Sequence, residues 1–134
     1  MIEKERAATI MIGGMQYDLI LTTKATKEIA KRYGGLSNLG DKLMKSENFE
    51  MALDEIIWLL TLLANQSILI HNLQNKEDKK ELLEEETIEL LTSPLELAAY
   101  KTAIMEAMFK GTKRNVESEE SVTSGGKEKN VKVE

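Results

Sequence analysis

The side chains able to do chemistry are few and poorly placed for it. The sequence has one histidine, His71, and no cysteine. That excludes disulfide scaffolds, thiolate zinc sites, thiol nucleophiles and metal sites built on paired histidines. His71 with Glu77 or Asp78 is a meagre ligand set, and a histidine near a helix C-terminus is favoured there by the helix dipole alone. Glu84-Glu85-Glu86 and Asp54-Glu55 supply carboxylates, but neighbours on a helix point around it and not at one another. General acid–base catalysis needs groups that converge. Gly35–Lys42 brushes against the phosphate-loop pattern GxxxxGK[ST]. Asp41 stands at its lysine, Lys42 at its hydroxyl residue, and a helix precedes it where a strand is required. Asn65-Gln66-Ser67 matches a glycosylation sequon that needs a secretory route, and Met1–Ala8 has no apolar segment to open one. No catalytic, cofactor-binding or metal-binding residue is expected, and the chain reads as non-enzymatic.

The 134 residues are 42% hydrophobic and 31% charged. That is enough apolar material for the core of one domain and too much for wholesale disorder. The net charge of −5 opposes non-specific nucleic-acid binding, which draws on surplus Lys and Arg. The charge is bipolar. Residues 1–45 carry a net +3, residues 46–111 a net −8, and residues 112–134 none. Solvated helix faces of differing sign would give this pattern; so would an acidic docking face or head-to-tail self-association. A cytosolic, soluble protein is expected.

The elements that must position any site follow from pattern. Ala8–Ile12 and Met15–Leu21 flank Gly13-Gly14, a two-residue turn whose central positions need positive φ. The turn sets Ile12 opposite Met15, Ile10 opposite Tyr17 and Ala8 opposite Leu19, leaving Thr9, Gln16 and Asp18 on the other face. A lone hairpin is marginal in water, so its apolar face should pack on helices. Thr22 or Thr23 caps a helix over about Lys24–Tyr33, and Gly34-Gly35 stops it. A short segment with Leu36, Leu39 and Leu43 on one face follows.

Ser46 opens the longest helix, about Glu47–Leu73. It is apolar on all sides between Ile56 and Leu63 except at Thr61, and must be buried on more than one side. Asn65, Gln66 and Ser67 interrupt the apolar run, which is too short to span a membrane. An acidic helix over Lys80–Leu91 is expected to turn Leu82, Leu83, Leu90 and Leu91 inward. Ser93-Pro94-Leu95-Glu96 is a capping box with proline at the first helical position. It opens a helix to Lys110, stopped by Gly111, with Leu97, Tyr100, Ile104 and Met108 on one side. The fold class is mainly α, with an N-terminal β-hairpin (8–21) on a bundle of four to five helices. Residues 1–111 form the domain, and 112–134 form a disordered tail too poor in apolar residues to order itself.

The seven methionines fill gaps or make adaptable binding surfaces. Met11 and Met15 flank the hairpin turn, Met44 and Met51 bracket the start of the long helix, and Met105 and Met108 sit in the last one.

Tyr17-Asp18-Leu19-Ile20-Leu21-Thr22-Thr23-Lys24-Ala25-Thr26-Lys27-Glu28-Ile29, followed by Arg32-Tyr33-Gly34-Gly35-Leu36 and Leu39-Gly40-Asp41, resembles the N-terminal half of a family of tail assembly chaperones. These belong to long-tailed phages and prophages of Gram-positive bacteria. Leu90–Leu97 resembles a second block, and the resemblance spans roughly residues 8–111. It implies a non-catalytic protein of the host bacterial cytoplasm that is not in the mature virion. Such a protein binds the tape measure protein, keeps it soluble, and helps bring the tail tube protein to it through a frameshifted longer form. Gly125–Asn130 could be encoded by slippery codons of the kind such a frameshift needs. A homo-oligomer without cofactor, nucleic acid or membrane is expected. Trp58 and Leu62 are expected to support oligomerisation, and Met105, Met108 and Phe109 to contribute to the client surface. A small helical DNA-binding or regulatory protein and a minor structural tail subunit are the other classes this sequence admits.

Overall fold

The computed structural model describes the backbone of residues 6–45 and 49–123, and the side chains of residues 6–39, 41–42 and 53–112. The chain opens with strands β1 (Ala7–Ile12) and β2 (Met15–Ile20), paired antiparallel in the register expected from the turn. Gly13 and Gly14 take φ of 58° and 82°, which only glycine adopts without strain. Ala8, Ile10, Ile12 and Leu19 are buried, while Thr9 donates to Asp18 on the outer face at 3.0 Å.

Five helices follow: α1 (Thr23–Tyr33), α2 (Leu36–Lys45), α3 (Phe49–Gln74), α4 (Glu85–Leu91) and α5 (Pro94–Thr123). Thr22 is the α1 cap, accepting the Ala25 N–H at 3.0 Å, and Gly34 at φ 88° closes the helix by donating to Ala30. Ser46, expected to open α3, lies outside the described residues, as do the side chains of Met44 and Met51.

Helix α3 is the centre. Strand β2 lies on it, α5 runs beside it and covers β1, and α4 closes one side. Ile56, Leu59, Leu60, Leu63 and Ala64 are buried among them. The segment Leu53–Gln74 proves long and apolar enough to cross a membrane by length and composition, contrary to the expectation that it is too short. Within the fold these apolar residues supply the core. Among the described residues its fully buried polar side chain is satisfied inside the protein. Buried Gln66 accepts from the Thr22 hydroxyl, and its amide donates to Leu62 O at 3.0 Å.

Two further expectations are corrected. The acidic helix does not begin at Lys80, because α4 begins at Glu85 and residues 79–84 carry no helix. The reason lies on α3. Asn65 donates to Leu83 O (2.9 Å) and accepts the Leu83 N–H (2.7 Å). Asn72, two turns later, does the same to Lys80 (3.0 and 2.8 Å). Two helical turns span about 10 Å, close to three extended residues, so the asparagines hold the segment open. Helix formation would need those backbone groups for itself. Consequently Leu83 and Ile88 point inward, whereas Leu82, Leu90 and Leu91 stay exposed.

The second correction is at Gly111, where the last helix does not stop. It continues to Thr123, so residues 112–123 are helical in backbone, and 124–134 lie outside the described residues. Gly111 serves a close approach instead: a Cβ there would sit 2.8 Å from Leu21 Cβ and 3.2 Å from Leu21 O.

Gly111→Ala should therefore destabilise the protein by about 1–3 kcal/mol through overpacking, although alanine is the better helix former by about 1 kcal/mol. Urea denaturation measures the sign, and a stabilised variant would contradict the close approach. Asn65→Ala should cost about 1–3 kcal/mol by leaving the part-buried Leu83 backbone groups unpaired. Asn72→Ala, at an exposed site, should cost less in the same assay.

Candidate partner-binding surface

Three stretches distant in sequence meet at one corner of the molecule. The first is the hairpin tip. The second is the end of α4, and the third is the start of α5. Leu91 packs its side chain over Gly13, where a Cβ would meet Leu91 Cδ1 at 2.7 Å. The Tyr100 hydroxyl donates to Met11 O. The α5 start is fixed by its capping box. Ser93 N–H donates to Glu96 Oε1 at 2.8 Å and Glu96 N–H to the Ser93 hydroxyl at 3.3 Å.

The elements that meet here carry exposed apolar side chains, with Met15 on the hairpin face of Ile12 and Met11 on the opposite face beside Gln16. Leu95 is 82% exposed, Leu90 75%, Met15 61%, Met11 53% and Leu91 51%. Single exposed leucines need no explanation, but contiguous groups mark interaction sites. The surface is held in place, since Ile88 and Leu97 root α4 and α5 in the core beneath it. On the far side of the tip a groove of about 830 Å³ runs between β2, α3 and the asparagine-held segment, with Met15 and Leu82 on its walls.

Burial, and then the neighbouring Glu96 carboxylate, push the Tyr100 phenol above its ordinary range. The remaining chemistry is structural. His71 bonds Asp78 O through Nε2 at 2.8 Å and so helps fasten the connector to the end of α3. Glu55 takes the Tyr33 hydroxyl, Arg32 at 3.5 Å and Lys42 at 3.9 Å, tying α1 and α2 to α3. Among the described residues no group of three or more metal-ligating side chains gathers.

The residues expected to support oligomerisation (Trp58, Leu62) and the client surface (Met105, Met108, Phe109) are mostly withdrawn from the surface. Trp58 is half-buried, edge-on to Tyr33 at 6.0 Å, with the Arg32 guanidinium 4.4 Å from its ring centroid. Leu62 and Met105 are half-buried against the core, and Met108 is itself core at 8% exposure. Phe109 is exposed. What the sequence reading missed is Leu90, Leu91 and Leu95. Their signal was an apolar pair running into a capping box, which was read as inward-facing.

Neither a protein-family model, a curated protein nor a solved structure matches this chain.

Removing the Tyr100 hydroxyl tests how the corner is fastened. A phenol whose pKa is raised by folding contributes stability that is whole below its unfolded value near pH 10. That stability is lost as pH rises through the folded value. Tyr100→Phe should cost about 1 kcal/mol at neutral pH and flatten the decline of the urea midpoint above about pH 10. An unchanged alkaline decline would contradict the assignment.

Proposed function

We propose that this chain is a tail assembly chaperone of a long-tailed phage or prophage. In this reading it works without catalysis, covering apolar helical stripes of the tape measure protein until the tail is built. The observation that carries the reading is the set of exposed apolar side chains on elements rooted in the core, Leu90, Leu91 and Leu95 where α4 passes to α5 and Met11 and Met15 at the adjoining hairpin tip. A holding protein needs such a surface. It must offer apolar area to a client without losing its own core to it, and a helix laid on a fixed apolar face is a standard mode of recognition. The resemblance of residues 17–41 and 90–97 to that family supports the same reading. Helix-rich architecture with methionines at the tip adds adaptability, because the thioether side chain fits varied surfaces.

The host cytoplasm is the proposed place of action. A homo-oligomer and a longer form that engages the tail tube protein belong to the proposal, as does absence from the finished virion. Detection of the chain in purified virions would favour a structural tail subunit instead.

Co-expression with the tape measure protein of the same phage or prophage is the direct test. The client should move from the insoluble to the soluble fraction. Leu90→Glu with Leu95→Glu, both at well-exposed positions, should leave the helical circular dichroism intact and abolish the rescue. A client whose solubility does not respond to the wild-type chain would overturn the proposal.

A further inference from the structure

The apolar corner has a charged border of one sign. Residues 81–96 contain six glutamates (Glu81, Glu84, Glu85, Glu86, Glu89, Glu96) and no lysine, arginine or histidine. All six are exposed. Among the described residues none of them enters an ion pair, and Glu96 alone has a structural task, in the capping box. Asp54 joins this border, facing Glu89 across a crevice of about 280 Å³ between α3, α4 and α5.

The geometry of α4 sorts these residues. At about 100° per residue, with Ile88 turned into the core, Leu91 and Leu90 fall on one flank. Glu86, Glu89 and Glu85 fall on the other, with Glu86 next to Leu90. The hairpin tip on the leucine side, Met11–Met15, has no charge at all. The corner thus sets exposed leucines of α4 and α5 beside an acidic edge that makes no ion pair among the described residues. Like charges crowded on a seven-residue helix repel one another, and a cationic partner would relieve that repulsion.

We propose that the corner selects an amphipathic helix of another protein whose apolar stripe is bordered by lysine and arginine. This rests on the client-holding reading above and names the chemistry of its client. Helix α1 and the C-terminal sequence do not meet the description. On α1 the exposed Lys24, Lys27 and Lys31 accompany Ala25 and Ile29, which face inward. Residues 124–134 hold only two valines as apolar anchors. A second copy docking through α1 would bring positive charge but not an apolar stripe beside it. Complementary charge of this kind chiefly sets partner choice and association rate, and the exposed setting makes it sensitive to salt.

The experiment uses two fluorescent helical peptides with the same leucine stripe, one bordered by lysines and one by glutamates, titrated with the full chain in an anisotropy assay. At low salt the lysine-bordered peptide should bind at least tenfold more tightly, and the advantage should shrink as salt is raised. Glu86→Lys with Glu89→Lys should abolish the preference. The milder Glu86→Gln with Glu89→Gln should reduce it where the reversal frays α4. Equal affinity of the two peptides would overturn the inference, as would a preference untouched by both variants or corner-dependent self-association seen by light scattering. If the preference fails while the chain still solubilises its client, only the selection by charge falls. If co-expression fails as well, the holding function falls with it.

Discussion

Helix α3 is apolar around nearly its whole circumference between Ile56 and Leu63, and the rest of the molecule exists to enclose it. Such a helix cannot stand in water, and a two-stranded hairpin cannot either. Each solves the other's problem. The apolar face of the hairpin covers one side of α3, and α5 covers both α3 and β1. Gly111 lets α5 approach closely enough to do so, because the space a Cβ would need is taken by Leu21. Burying the helix on several sides at once makes the fold interdependent: no layer remains stable if another is lifted away.

Polar side chains on α3 turn that enclosure into a specific arrangement. Gln66 joins Thr22, which also caps α1, so one hydroxyl fixes both the start of a helix and its position against the core. Asn65 and Asn72 take the backbone of the following segment in paired hydrogen bonds, the pattern one strand would offer another. Buried amides are costly unless fully bonded. Buried Gln66 is satisfied by Thr22 and Leu62 and part-buried Asn65 by Leu83, so a slipped arrangement would leave them bare. The delayed start of α4 follows from this, and with it the outward turn of Leu90 and Leu91.

Local chemistry was legible in the sequence wherever its cause was local. Gly13-Gly14 specified the hairpin register, Thr22 and Gly34 the limits of α1, and Ser93 with Glu96 the start of α5. What stayed hidden depended on residues far away along the chain. Nothing near Lys80 announces that asparagines on α3 will hold its backbone extended, so a helical pattern read there began too early. Gly111 looked like a helix stop because glycine often is one, while its actual role needs Leu21 opposite it. The same applies to the site. Met11 and Met15 stood out at the turn, but Leu90, Leu91 and Leu95 become a surface only once α4 is shortened and the hairpin tip meets Leu91. Met108 shows the converse, a flexible apolar residue suited to binding that the packing of α5 places in the core.

The account therefore centres on a corner whose exposure is a consequence of how the core is built. Hydrogen–deuterium exchange of the full chain, with and without a lysine-bordered amphipathic helix, tests this most directly. The account predicts new protection confined to the hairpin tip around residues 11–15 and to residues 85–95. Protection appearing instead on α1 and α2, or none at saturating peptide, would contradict it.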